Sequence, residues 1–384
     1  MFRANSYSRR LRLGTFSGAA AVLLSIVLAG TAMAASWSTP AQLSSSGNSS
    51  SVDVVTLNSR TAVAAYSESN EQGEPEGLFV RRSNDGGVTW GPPVMVSAKG
   101  NFPALAANGM NVDLVFNSGS GRVRYARSTD GGVTFAPSMP LSPRGRFAWR
   151  PDVGHGPGGV VVVVYEDVQN GNVVARVSTN NGASFAAADI LTTNGEEVGV
   201  AAAVGDGVIY VGYSVGSDRL RLRRSFNNGA TWTAQTRITN NNIGFGISLA
   251  AVGSHAYFAF TGPNDFPKHE QAVMRRTTNS GGGWSSLIGI APRNWTTQDP
   301  DLGLSGGVLH AGFSRCPTEF DTCFVDEVYY RRSTTGTSWN NLLRASPGSV
   351  PAFGPSVGSH RPLIVYTGEN SGGLDVFART RVPD

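Results

Sequence analysis

The segment SNDGGVTW (residues 83–90) crowds a serine, an aspartate and two glycines into five positions, then places a tryptophan three residues later. Related segments follow: STDGGVTF from Ser128, STNNGASF from Ser178, SFNNGATW from Ser225 and TTNSGGGW from Thr277, with a shortened STTGTSW from Ser333. Successive starts are 45, 50, 47, 52 and 56 residues apart. A period of that length is one supersecondary unit of about four strands, the size of a propeller blade.

The chemistry of the repeat is that of a turn. Asp85, Asp130, Asn180, Asn227 and Asn279 carry side-chain oxygens that fold back onto nearby backbone N–H groups. Gly87, Gly132, Gly182, Gly229 and Gly281 supply a left-handed backbone without a Cβ clash. The aromatic residue opens the next strand and is expected to be buried between sheets, as large aromatics generally are. Trp90, Phe135, Phe185, Trp232, Trp284 and Trp339 therefore read as core residues, and the turns as scaffold.

The pattern S-x-D-x-G-x-T-W resembles the Asp box of the sialidase-type (BNR-repeat) β-propellers, and the resemblance extends over nearly all of the chain after its first residues. It implies an all-β propeller. It implies less about activity, since one fold hosts many functions.

Seven apolar second strands are legible: TAVAAY, VDLVF, GVVVVVYE, VIYVGY, AYFAF, VLHAGF and PLIVY. That is one more than the number of turns. The last unit stops at FART, where a turn is due, while SWSTPAQLS from Ser36 matches TWGPPVMVS from Thr89. The expectation is a seven-bladed propeller whose last blade is closed by the N-terminal strand, which removes the free edges of an open sheet. A six-bladed sialidase-like ring is the alternative.

Residues 1–34 read as a secretory signal peptide. Four arginines precede an apolar run from about Ala19, and Ala32-Met33-Ala34 is a cleavage-type sequence. The propeller domain is then 35–384, secreted or periplasmic, with no membrane insertion after cleavage. The leader holds four of the 31 basic residues and no acid, so 27 basic residues face 27 acidic ones beyond it. A formally neutral domain is not a polyanion binder, and nucleic acid is not an expected partner. Cys316 and Cys323, the only cysteines, are expected to pair in an exported chain. A monomer is expected.

Repetition also serves as an internal control: a residue found at one place in most blades serves the blade, whereas a residue found once is a functional candidate. Two entrances stand out. SPRGRFAWRPD carries Arg146, Trp149, Arg150 and Asp152 into the third blade, and APRNWTTQDPD carries Arg293, Trp295, Asp299 and Asp301 into the sixth. Guanidinium forks suit carboxylates and indole faces suit sugar rings, so Arg146, Trp149, Arg150, Arg293, Trp295 and Asp299 are the candidate ligand contacts. Both entrances lie on the face opposite the turns.

Acidic loops hold Glu68, Glu71, Glu74 and Glu76, then Glu319, Asp321, Asp326 and Glu327. Their spacing is diagnostic of neither calcium binding nor paired-carboxylate glycoside cleavage, so no cofactor is expected. The Phe-Arg-Ile-Pro signature of sialidases is absent, and no catalytic residue is assigned. The functional expectation is recognition of a glycan, an acidic saccharide included, or of another extracellular ligand. Glycan cleavage by a hydrolase or lyase, and a protein-binding scaffold, are the alternatives.

Overall fold

Each repeat folds as four antiparallel strands, and seven such sheets form the protein. The computed structural model describes residues 36–70, 72–192, 197–216, 219–239, 246–263, 270–316, 327–348 and 351–381. Blades 1 to 6 comprise residues 49–97, 100–140, 148–190, 197–237, 247–289 and 296–344. Blade 7 has three strands from 352–380 and takes its fourth, Ala41–Gln42, from the N-terminal end.

That last pairing is antiparallel, with Ala41 opposite Ala378 and Gln42 opposite Phe377. Asp375 is its hub. Its carboxylate accepts Ser44 Oγ at 2.8 Å, Gln42 Nε2 at 2.9 Å and Asn370 Nδ2 at 2.7 Å, and it is almost wholly buried. Leu43 is fully buried beside it.

The core is divided among the interfaces between neighbouring blades, where seven apolar clusters form. Into each projects one partly buried aromatic from the start of a fourth strand: Trp90, Phe135, Phe185, Trp232, Trp284, Trp339 and, at the ring closure, Trp37.

In the shortened turn before Trp339 the Ser333 hydroxyl donates to the Ser338 carbonyl at 2.6 Å. The other five turns before these aromatics share one bonding scheme. The leading hydroxyl donates to the Asp or Asn side-chain oxygen at 2.7–3.0 Å. It accepts the glycine N–H at 2.8–3.0 Å. The same Asp or Asn accepts a further N–H two residues on, at 2.9–3.0 Å. The glycine is obligatory for a second reason at Gly182: a Cβ there would run into the Tyr125 hydroxyl of blade 2. Arginines from the third strands add ties between blades, as in Arg82 Nε to the Gly131 carbonyl (2.9 Å) and Arg331 Nη1 to the Ile290 carbonyl (2.8 Å). These arginines thus reach the next or the preceding blade.

Candidate functional site

In a four-stranded antiparallel blade the first and third strands end on the same face. The turns follow the third strands, so the inner strands begin on the opposite face. Six inner strands carry a bulge near that beginning: after Ser50, Asn101, Trp149, Glu197, Gln298 and Phe353. At this place the backbone is left-handed in all seven blades, at Ser51, Phe102, Arg150, Gly199, Gly246, Asp299 and Gly354. A bulge re-aims a side chain, and five of these positions, Ser51, Phe102, Arg150, Gly246 and Asp299, line the central channel.

Two residues further on stand Asp53, Asp152 and Asp301, with Ser248 and Ser356 in blades 5 and 7. Each bonds a backbone N–H of the following blade. Asp53 accepts from Leu105 (2.6 Å), Asp152 from Ala202 (2.7 Å) and Asp301 from Val357 (2.8 Å). Ser248 Oγ accepts from Leu302 and Ser356 Oγ from Val54, both at 3.1 Å. The two serines also donate to carboxylates, Ser248 to Asp301 at 2.9 Å and Ser356 to Asp53 at 2.5 Å. Five of the seven interfaces are thereby stapled around the channel.

The channel is a cavity of about 450 Å3. Its ionisable lining among the described residues is Arg150 with four carboxylates, Asp53, Asp152, Asp299 and Asp301. Burial pushes Asp53 and Asp152 up to about 7, and the Asp301 charge pushes both further in the same direction. Asp301 is raised by burial while its hydrogen bonds oppose the shift. Asp299 is also raised by burial, with the Arg150 charge acting against it.

Of the residues expected at the site, the structure brings Arg150 and Asp299 to one cavity. Arg150 is exposed, Asp299 half-buried, and among the described residues neither forms an ion pair. Trp149 lies one layer behind the rim. Its ring is 5.0 Å from that of Phe102, which lines the cavity, and 5.3 Å from that of Phe147, which is 43% exposed. These three rings form an aromatic layer that reaches the cavity at Phe102, which shares the lining with Arg150.

The other expected contacts are placed elsewhere. Arg146 pairs with Asp167 at 3.0 Å, an exposed-to-buried ion pair at the blade edge. Arg293 is exposed and outside the cavity lining. Trp295 is half-buried against the blade 5–6 core, and the Arg315 guanidinium lies 3.9 Å over its ring. Arg315 in turn pairs with Glu327 (3.3 Å), which accepts the Tyr329 hydroxyl at 2.8 Å. That indole face is already covered. Cys316 is buried at the end of its strand, while Cys323 lies outside the described residues, as do Glu71, Glu319, Asp321 and Asp326. Among the described residues no three His, Cys, Asp or Glu side chains are grouped to hold a metal ion.

Sequence reasoning passed over Ser51, Phe102 and Asp53, and read Asp152 and Asp301 as single-copy residues. The signal was a recurrent triplet, Phe102-Pro103-Ala104, Arg150-Pro151-Asp152, Asp299-Pro300-Asp301 and Gly354-Pro355-Ser356. Its first member forms the rim and, where its third is polar, that residue staples blades. The inner strand of blade 3 (Ala148–His155) is also held at its far end. There His155 Nδ1 meets Asp113 Oδ2 of blade 2 at 2.5 Å, and the Tyr125 hydroxyl donates to the other oxygen.

No protein-family model and no curated protein matches the chain. Among solved structures it is similar to an ulvan lyase of polysaccharide lyase family PL25 bound to -[GlcA(1-4)Rha3S]-, with 10% identity, 88% of this chain and 95% of that one covered, and a TM-score of 0.59. It is similar also to the polysaccharide lyase Uly1 (11% identity, 86% and 89% covered, TM-score 0.56). A third is YCF48 bound to a D1 peptide (13% identity, 90% and 95% covered, TM-score 0.51). At such identities the likeness is one of fold.

Proposed function

We propose that the protein is an exported β-propeller of the sialidase-type Asp-box kind that recognises a glycan at the mouth of its channel, on the face opposite the turns. The observation that carries this reading is the aromatic layer of Phe102, Trp149 and Phe147, which reaches the cavity at Phe102, together with Arg150 in the same lining, a guanidinium with no ion pair among the described residues. Ring faces suit the apolar face of a pyranose, and a guanidinium fork orients its polar substituents. The propeller fold shared with polysaccharide lyases agrees with a saccharide ligand at a coarse level.

Recognition is favoured over glycoside hydrolysis by the state of the lining carboxylates. Asp53, Asp152 and Asp301 are committed to bonds between blades. Among the described residues, Asp299 is the remaining carboxylate of the lining, and no histidine or tyrosine joins it. A glycosidase needs two free groups flanking the bond it breaks. Export is proposed from the leader sequence, and in an exported chain Cys316 and Cys323 are expected to pair.

The test is calorimetric titration with oligosaccharides, uronate-containing ones included, against the parent protein, Trp149→Ala and Arg150→Ala. Binding weakened about tenfold or more in both variants, with their unfolding unchanged, is expected. Equal binding by all three proteins would move the site away from the mouth.

A further inference from the structure

We infer that the mouth reads a dipolar sugar, a single ring bearing both a carboxylate and a free ammonium group. This rests on the glycan reading above and narrows it.

Seven equivalent rim positions are left-handed, and in blades 4, 5 and 7 glycine fills them. Blades 1, 2, 3 and 6 keep Ser51, Phe102, Arg150 and Asp299 there, at φ of 49°, 51°, 41° and 50°. Strained backbone clusters at functional sites; the scaffold turns also hold Asn181, Asn228 and Ser280 at positive φ, but of these described non-glycine residues it is the four at the rim that line the cavity. Asp113, buried and bonded, needs no such strain to do structural work; the rim residues line the cavity.

Arg150 and Asp299 belong to blades three steps apart in a ring of seven, so they face each other nearly across the mouth. The guanidinium field reaches Asp299, yet neither side chain pairs with the other or with another described residue. An anionic ligand alone leaves the half-buried Asp299 carboxylate unmet, and a cationic one leaves Arg150 unmet. A ring with both charges satisfies the two together.

The surroundings agree with that orientation. A Cβ on Gly246 would lie 2.8 Å from Asp299 Oδ1, so the glycine of blade 5 leaves room for the carboxylate. Glu270 adds negative charge near Asp299, and the three stapling aspartates line the cavity beyond it. The ammonium therefore faces blade 6, the carboxylate faces blade 3, and the Phe102 ring offers an apolar wall.

The experiment is calorimetric titration of the full protein with muramic acid, N-acetylmuramic acid, glucosamine and glucose in buffer near neutral pH, where the sugar ammonium stays charged and the Asp299 carboxyl, raised by burial, is more fully ionised than in acid. Muramic acid, with both charges, is expected to bind about tenfold or more tightly than either singly charged sugar. Asp299→Asn should erase the preference for the free amine, and Arg150→Gln the preference for the carboxylate. Equal binding of muramic and N-acetylmuramic acid, or an undiminished amine preference in Asp299→Asn, overturns the dipolar site. If none of these sugars binds, the dipolar site is also wrong. Trp149-dependent binding of neutral oligosaccharides would then show that the glycan reading survives it.

Discussion

Arg150→Gly is expected to make the propeller more stable while removing its ligand affinity. Arg150 sits at φ 41° with an exposed side chain and no described ion pair, so its removal forfeits little packing. A non-glycine residue in the left-handed region costs about 1–2 kcal/mol. Glycine in exchange adds unfolded-chain entropy worth about 0.5–1 kcal/mol. The net gain lies between about 0 and about 1.5 kcal/mol, with a midpoint of about 0.75 kcal/mol. Ser51→Gly, two blades away, should add a similar increment nearly independently. Arg150→Ala deletes the same charge but keeps the backbone demand, so it should lose binding without gaining stability. Urea unfolding of the parent, the two glycine variants and the alanine control measures this through midpoints at constant slope. If Arg150→Gly unfolds at lower urea than Arg150→Ala, the strain argument is wrong; if both unfold at lower urea than the parent, the side chain is a structural element.

The channel aspartates give a pH dependence of known sign. Folding raises Asp53 and Asp152 to about 7, so their contribution is fully present below the ordinary aspartate value and is lost as pH rises through about 7. Urea midpoints should fall over that range, and Asp53→Asn with Asp152→Asn should flatten the profile; a midpoint that climbs instead contradicts the assignment. Asp53→Ala strands the Leu105 N–H and Ser356 hydroxyl and should cost about 1–3 kcal/mol, measured by the same unfolding curves. Asp375→Ala should cost at least as much, because three side chains of the ring closure lose their acceptor; partial proteolysis should then begin near Ala41. Gly182→Ala must displace Tyr125 from Asp113 and adopt a left-handed backbone, so a melting temperature equal to the parent's would refute the packing described for that interface.

Much of this architecture was legible before any coordinates, because each blade repeats its own instructions. The Ser83–Trp90 turn, the apolar second strands and the match of Trp37 to Trp90 fix blade number and closure by local chemistry. The rim was legible only in part. Arg150 and Asp299 stood out as single-copy residues, but Ser51 carries no chemical label in the chain and Phe102 only the proline that follows it. Their place follows from backbone bulges, which shift register without leaving a hydrophobic signature. Asp53 is similar: without the bulge, nothing aligns it with Asp152 and Asp301. Trp295 shows the opposite failure. Its type suggested a sugar platform, and only the fold reveals that Arg315 lies across its ring.

The most direct test is a crystal of the protein soaked with the tightest-binding sugar. The account predicts ordered density at the channel mouth within hydrogen-bonding distance of Arg150 and Asp299, with a pyranose ring against Phe102. A sugar seated instead on the turn face, or over Trp295 with the mouth empty, contradicts it.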